Sequence, residues 1–119
     1  MDTTSTEAIR LRTNGKVVVV DFLKGELKDE REILKLLEKL GSMVEKHHQV
    51  QLLLNMEQLT YISSAGIGAL VSLLKKVCRQ NGTMKMCRVT DEVREIFEVM
   101  RLTKIFTVLA TEEEAVTSF

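Results

Sequence analysis

The sequence has no excess of charge of either sign, because 17 lysines and arginines balance 17 aspartates and glutamates. A neutral chain has no broad electrostatic attraction for nucleic acid, an anionic membrane or a strongly acidic substrate. We therefore expect no direct nucleic-acid partner and no membrane partner. Any partner would have to be recognised by local shape and local charge.

Long apolar runs are also missing. The longest, such as Val17 to Val20 and Leu52 to Leu54, are far shorter than the roughly 20 residues needed to cross a bilayer. The first seven residues, Met1 to Glu7, are polar and do not have the apolar stretch of a secretory signal, so we predict a disordered terminus there. Together these features predict a cytoplasmic protein.

Cysteine and histidine are scarce. Cys78 and Cys87 are the only cysteines, too few and too widely spaced for a zinc site or a disulfide framework. His47 and His48 are adjacent, and on a helix adjacent side chains point about 100° apart rather than onto one metal-facing stripe. We expect no metal site and no cofactor.

Proline is absent, and so is any repeat or low-complexity segment that would mark a linker. A chain of 119 residues is near the commonest domain size and has enough hydrophobic residues, 45%, to bury one core. The sequence predicts a single domain over residues 1–119.

An antiparallel hairpin is predicted at the start of the fold. Ala8 to Arg12 alternates apolar and polar residues, and Asn14 and Gly15 are typical of the two positive-φ residues of a tight hairpin turn. The returning strand, Lys16 to Phe22, contains four consecutive valines, which favours a central strand that is covered on both faces.

Helices and strands then alternate. Apolar spacing and capping residues predict the following elements in order: helix Asp29 to Lys46, strand Val50 to Leu54, a helix that starts near Ser64, strand Thr83 to Val89, a helix capped by Thr90 with Met100 on its buried face, strand Ile105 to Leu109, and a helix capped by Thr111. This order predicts an α/β fold: a mixed sheet that opens with the antiparallel hairpin, continues with parallel β-α units and is layered with about four helices.

The informative segment joins the strand that ends near Asn55 to the following helix. Ser64 stands where a helix N-cap belongs, and Gly66 and Gly68 leave the first turn free of side chains. On local chemistry alone, this pattern is satisfied by a serine that is only a helix cap and by small residues that allow close packing.

A resemblance adds a function to this segment. The run from Leu52 to Leu74 resembles the signature of STAS domains, the family of bacterial anti-sigma factor antagonists, with its centre at Tyr61-Ile62-Ser63-Ser64-Ala65-Gly66-Ile67-Gly68. The likeness continues through three further segments: Asn81-Gly82, Met84 to Val89 and Ile96 to Phe106, whose last five residues, Leu102 to Phe106, resemble the family's closing element. It covers about Ile9 to Val116, in the element order of the family.

The resemblance implies that Ser64 is phosphorylated by an anti-sigma factor that is itself a serine kinase. The unphosphorylated protein would bind this kinase, phosphorylation would release it, and a PP2C-type phosphatase would restore binding. Ser63 stands where many antagonists have Asp, and Ala65 and Gly66 where they have a second Ser or Thr plus Gly. Ser63 is therefore a rival acceptor.

The same resemblance implies a partner-binding surface, and we expect the protein to be a monomer or a weak dimer. Its expected residues are Tyr61, Ile62, Ser63, Ser64, Ala65, Gly66, Gly68 and, from a loop after the second strand, Gly25. Within the family, the alternative is a non-switched scaffold or sensor module in which Ser64 only caps the helix.

Alternatives outside this family, both enzymatic and non-enzymatic, fit the sequence poorly. A hydrolase would need Gly-x-Ser-x-Gly around Ser64, and a dinucleotide site would need a third glycine after Gly66 and Gly68. A two-component receiver domain would need a phosphoacceptor Asp where Asn55 ends the strand. We expect a non-enzymatic protein.

Overall fold

A mixed sheet forms the centre of the computed structural model, which describes residues 4–5 and 8–119. Its strands are β1 (Thr4–Ser5), β2 (Ile9–Asn14), β3 (Val17–Phe22), β5 (Gln51–Asn55), β7 (Thr83–Cys87) and β8 (Val108–Leu109), in that spatial order. The pairs β1-β2 and β2-β3 are antiparallel and the other pairs are parallel. A separate parallel pair consists of β4 (Glu26–Leu27) and β6 (Tyr61–Ile62).

The described residues contain four helices: α1 (Glu30–Lys46), α2 (Ser64–Arg79), α3 (Asp91–Val99) and α4 (Glu112–Ser118). The predicted strands and helices follow one another in the expected order, with the short strands β1, β4 and β6 in addition, and the mixed α/β fold class is confirmed. The predicted disordered terminus, residues 1–7, falls outside the described residues except at Thr4–Ser5, whose backbone pairs with β2.

β3 is central and has a core on each face, as its four valines predict. Val20 and Phe22 pack into the larger core, which also contains the apolar faces of α1 and α2. Val17 and Val19 point the other way, into a smaller core with Ala115 of α4. The alternation of strand side chains places successive residues on opposite faces, so one strand contributes to both cores.

The hairpin turn differs from the prediction by one residue. Asn14 pairs with Val17, so the two loop residues are Gly15 and Lys16. Gly15 has a φ of 61°, whereas Asn14 belongs to the strand and has no positive φ. A glycine at the first loop position is the arrangement of a type II′ turn, which explains why one positive-φ residue is enough.

Two predictions near α3 are also wrong. Met100 caps the C-terminus of α3 and is 42% exposed, because the helix ends before its side chain can turn towards the core. The predicted strand from Ile105 to Leu109 shrinks to β8, because the Ile105 N–H donates to Leu102 O (3.0 Å) in a turn. Phe106 still packs on Phe97, with ring centroids 5.3 Å apart.

The helices in the described part of the chain are too short or too polar to cross a lipid bilayer.

Candidate functional site

Two distant loops join to hold the segment that precedes α2. β4 and β6 pair in parallel, and the Gly25 carbonyl accepts hydrogen bonds from the N–H groups of Thr60 (2.8 Å) and Tyr61 (3.2 Å). Further along the same two segments, the Ser63 N–H donates to the Leu27 carbonyl (2.9 Å). The structure therefore brings Gly25 against the motif that begins at Tyr61.

Ser63, not Ser64, caps α2. Ser63 has extended backbone angles, φ −73° and ψ 167°, and its Oγ accepts from the Gly66 N–H at 3.1 Å. Ser64 is the first helical residue. The predicted N-cap is wrong by one position because the bond from the Ser63 N–H to Leu27 holds Ser63 in the extended conformation that a cap requires.

The two glycines of the motif have different surroundings. A Cβ on Gly66 would lie 2.8 Å from Ile62 Cγ2 and 2.9 Å from the Leu27 carbonyl oxygen, so only glycine fits where α2 approaches the β4-β6 pair. A Cβ on Gly68 would meet nothing within 4 Å. The predicted close packing therefore applies to Gly66 and is wrong for Gly68.

The predicted partner-binding residues form two groups, an exposed group that a partner can contact and a less exposed group beneath it. Five of them are exposed: Gly25, Tyr61, Ser64, Ala65 and Gly68. Ser63 is half-buried, and Ile62 and Gly66 are buried beneath the exposed positions. We call the exposed set the Ser64 surface. Ile62 and Gly66 shape this surface from below and offer a partner little area to contact.

A groove of about 520 Å³ extends the Ser64 surface towards α3. On the α3 side it is lined by Glu92, Glu95, Ile96, Val99 and Met100. Sequence analysis missed these residues because it placed Met100 on the buried face of the helix and assigned no function to Glu92 and Glu95. Val99 could have indicated this surface. It follows Ile96 by three residues, so the apolar face of α3 is wider than its contact with the core requires.

A second polar cluster lies under α4, on the opposite face of the sheet. Arg12 donates to both Asp21 (Nε to Oδ2, 2.6 Å) and Glu112 (Nη1 to Oε2, 2.8 Å), while Asn14 and Asn55 also donate to Glu112 at 3.0 and 3.3 Å. The hydrogen bond from Arg12 lowers the pKa of Glu112 to about 2. Burial alone would raise the pKa of Asp21, but the hydrogen bonds from Arg12 and Arg10 bring it below its ordinary value.

This cluster consists of mutually satisfied charges and has no free nucleophile. The nearby Cys87 thiol is buried, and burial raises its pKa to about 11, so it is a thiol and not a reactive thiolate at neutral pH. Among the described residues, no group of His, Cys, Asp and Glu side chains is arranged to hold a metal ion. The cluster is best understood as the attachment of α4 to the sheet.

Known proteins share this architecture and sequence pattern. The family model of the STAS domain matches residues 8–115. The chain is 31% identical over 81 residues to BtrV of Bordetella bronchiseptica, a protein named as a candidate anti-sigma factor antagonist, and this match covers 68% of our chain and 69% of BtrV.

Solved structures also match the fold of this chain. An anti-sigma factor antagonist (STAS) domain protein from Planctomyces limnophilus superposes with a TM-score of 0.80 at 19% identity, covering 92% of our chain and 96% of the other. The antagonist SpoIIAA superposes at 24% identity in its unphosphorylated form (TM-score 0.78, 93% and 95% covered) and, from Bacillus, in its phosphorylated form (0.71, 93% and 98%). These identities establish a common fold, and the predicted resemblance is confirmed. The chain belongs to the STAS domain family.

Proposed function

We propose that this protein is an anti-sigma factor antagonist that works by partner switching. Unphosphorylated, it binds an anti-sigma factor with serine kinase activity; phosphorylation of Ser64 releases that partner, and a PP2C-type phosphatase restores binding. In this proposal the protein is non-enzymatic and acts in the cytoplasm.

The observation that carries the proposal is the difference between the two adjacent serines. The Ser64 hydroxyl is exposed on the first residue of α2 and makes no hydrogen bond to any described residue. The Ser63 hydroxyl is half-buried and accepts from the Gly66 N–H. A kinase that modified Ser63 would have to break this cap, at a cost of about 1 kcal/mol, whereas Ser64 is free to react.

The presence of Ser63 in place of the family's Asp should leave the helix cap intact. Many antagonists have Asp where this chain has Ser63, and Asp and Ser are about equally good N-caps. The cap is therefore retained while one negative charge beside the acceptor is lost. The same assignment weakens the alternative of a non-switched scaffold in which Ser64 is only a cap, because Ser63 already fills that role.

Phosphate on Ser64 should change binding rather than folding. A phosphoserine carries roughly −1.5 to −2 charges, which the exposed N–H groups and the dipole at a helix N-terminus tolerate. A partner surface fitted to a small neutral hydroxyl would instead meet added bulk and a dianion. Burying that charge without a matched cation is costly, so the complex should dissociate.

The relatives are consistent with this proposal. BtrV is named as a candidate anti-sigma factor antagonist, and SpoIIAA has been solved in both phosphorylated and unphosphorylated forms with the fold of this chain. Both observations support a family member that alternates between two modification states while keeping one architecture.

Phosphosite mapping tests the proposal. Wild-type protein, Ser64→Ala and Ser63→Ala would be incubated with Mg-ATP and lysate of the source organism. We expect phosphate on Ser64 of the wild type and of the matched control Ser63→Ala, and none on Ser64→Ala. Labelling of Ser63, or no labelling while control substrates are phosphorylated, would contradict the proposal.

A further inference from the structure

The groove beside Ser64 has an exposed apolar lining. Tyr61, Val99 and Met100 are 44%, 77% and 42% exposed, and all three line the same groove. Single exposed apolar residues are normal on a protein surface, but several that border one concave site indicate a contact surface. No described element of the chain covers it.

The rim of this groove is acidic. Glu92 and Glu95 line it, both are exposed, and neither forms an ion pair with a described residue. α3 carries four carboxylates and a single guanidinium, although the whole chain has a net charge of zero. Negative charge is therefore concentrated here, and it would attract Lys or Arg and repel acidic segments.

We propose that this groove binds a segment of a partner protein that carries an apolar side chain flanked by Lys or Arg. The apolar side chain would occupy the space between Tyr61 and Val99, and the basic groups would face Glu92 and Glu95. Burial of the apolar side chain supplies most of the affinity, and the charges supply orientation and a faster encounter.

The same charges specify which form of the protein this partner prefers. Ser64 also lines the groove, so phosphate at Ser64 adds negative charge beside Glu92 and Glu95. A basic segment would then bind more tightly, the opposite of the release expected for a partner fitted to a neutral hydroxyl. The groove accordingly serves a partner of the phosphorylated form. This last step rests on the proposed phosphorylation of Ser64; the groove's preference for a basic apolar segment does not.

The test uses short synthetic peptides as probes. One peptide has two leucines flanked by lysines, a second has glutamates in place of the lysines, and a third has serines in place of the leucines. Each is titrated into isotopically labelled protein, and NMR shifts report where it binds. We expect the lysine-leucine peptide to shift Tyr61, Glu95 and Val99, and to bind at least about tenfold more tightly than either matched peptide.

Variants of the protein separate the contribution of the acidic rim to peptide binding from that of the apolar lining. Glu92→Gln with Glu95→Gln should weaken the lysine-leucine peptide about threefold or more and reduce its salt dependence, and Val99→Ser should weaken it similarly. The matched controls Glu38→Gln and Leu34→Ser change exposed residues of α1, outside the groove, and should leave the peptide Kd unchanged. Ser64→Asp should tighten binding.

Three results would overturn the proposal. The first is equal binding of the lysine and glutamate peptides, and the second is shifts confined to residues outside the groove. The third is self-association of the wild type that Val99→Ser abolishes, which would assign the groove to a second copy. Weaker binding by Ser64→Asp would refute the preference for the phosphorylated form. Phosphosite mapping of Ser64 is a separate measurement, so either proposal can fail alone.

Discussion

Arg12 and Glu112, 100 residues apart in the sequence, form a bidentate ion pair that attaches the first hairpin to the last helix. The same guanidinium also binds Asp21 of β3. The side chains of Asp21 and Glu112 are 11% and 15% exposed, so the acidic part of this network is largely shielded from water. It holds α4 over the smaller core and gives the fold a pH-dependent contribution to its stability.

We predict a loss of stability in acid that depends on Glu112. The pKa of Glu112 in the folded protein is about 2, below its ordinary value of 4.5, because Arg12 donates to it. A lowered folded-state pKa stabilises the protein fully above pH 4.5, and this stabilisation is lost as the pH falls towards 2. Asp21 contributes with the same sign.

Urea unfolding across this pH range measures the effect. Glu112→Gln should lower the free energy of unfolding by roughly 1–3 kcal/mol at neutral pH and flatten its decline in acid. Glu38→Gln, at an exposed position of α1, is the matched control and should follow the wild type. Wild-type and Glu112→Gln curves that run parallel between pH 5 and pH 2 would refute the assignment.

The two arginines of the cluster should differ in their contributions. Arg12→Ala leaves Glu112 without its main partner in a shielded site, so we expect a loss of roughly 2–4 kcal/mol. Arg10 is 45% exposed, against 28% for Arg12, and contacts Asp21 alone in this cluster, so Arg10→Ala should cost about 1 kcal/mol or less. Denaturant midpoints of the two variants provide the comparison, and equal losses would contradict it.

Substitutions of Ser63 and Ser64 should differ in their effects on stability as well as on phosphorylation. Ser63→Ala removes the oxygen that accepts from Gly66 and should cost about 1 kcal/mol. Ser64→Ala changes an exposed helical residue and should stay within about 0.5 kcal/mol of the wild type. Urea unfolding of both variants checks this, and the reverse order would return the cap to Ser64.

The two glycines of the motif form another matched pair. Gly66→Ala forces a methyl group against Ile62 and the Leu27 carbonyl, and we expect a destabilisation of about 1–3 kcal/mol. Gly68→Ala places a methyl group in open space within a helix and should stabilise the fold by about 0.5–1 kcal/mol. Thermal unfolding distinguishes the two, and a stabilising Gly66→Ala would show that α2 can move away from the β4-β6 pair.

Negative charge at Ser64 should be compatible with the fold. Ser64→Asp adds a carboxylate at the start of α2, where the helix dipole favours it. The thermal midpoint should therefore barely move, while binding of the anti-sigma factor partner weakens. A large fall in the midpoint would mean that charge at Ser64 acts by unfolding the surface.

Local chemistry was sufficient to predict most of the helix starts. Thr90 and Thr111 cap α3 and α4 as predicted, and Asp29, predicted as the first residue of α1, is its cap; each accepts from a backbone N–H two or three residues on. The same chemistry was not sufficient at α2, because Ser63 and Ser64 are equally good caps. A hydrogen bond to Leu27, distant in sequence, decides between them.

The groove depends on where α3 ends, and helical spacing does not show this. Met100 follows the apolar period of the helix, but Arg101 adopts a positive φ of 58° and ends it, so Met100 remains at the surface. The ion pair between Arg12 and Glu112 was likewise invisible to sequence analysis, since both residues resemble ordinary surface charges until the sheet brings β2 and α4 together.

The pairing of β4 with β6 means that the Ser64 surface is assembled from two parts of the chain. A linear peptide copied from residues 57–70 would contain both serines and both glycines of the motif, but not the carbonyls of Gly25 and Leu27 that hold the segment and favour Ser63 as the cap. Such a peptide would have no reason to present Ser64 differently from Ser63. An enzyme that modifies Ser64 selectively would therefore recognise a folded shape, and short peptides would be poor substitutes for the intact protein in any search for it.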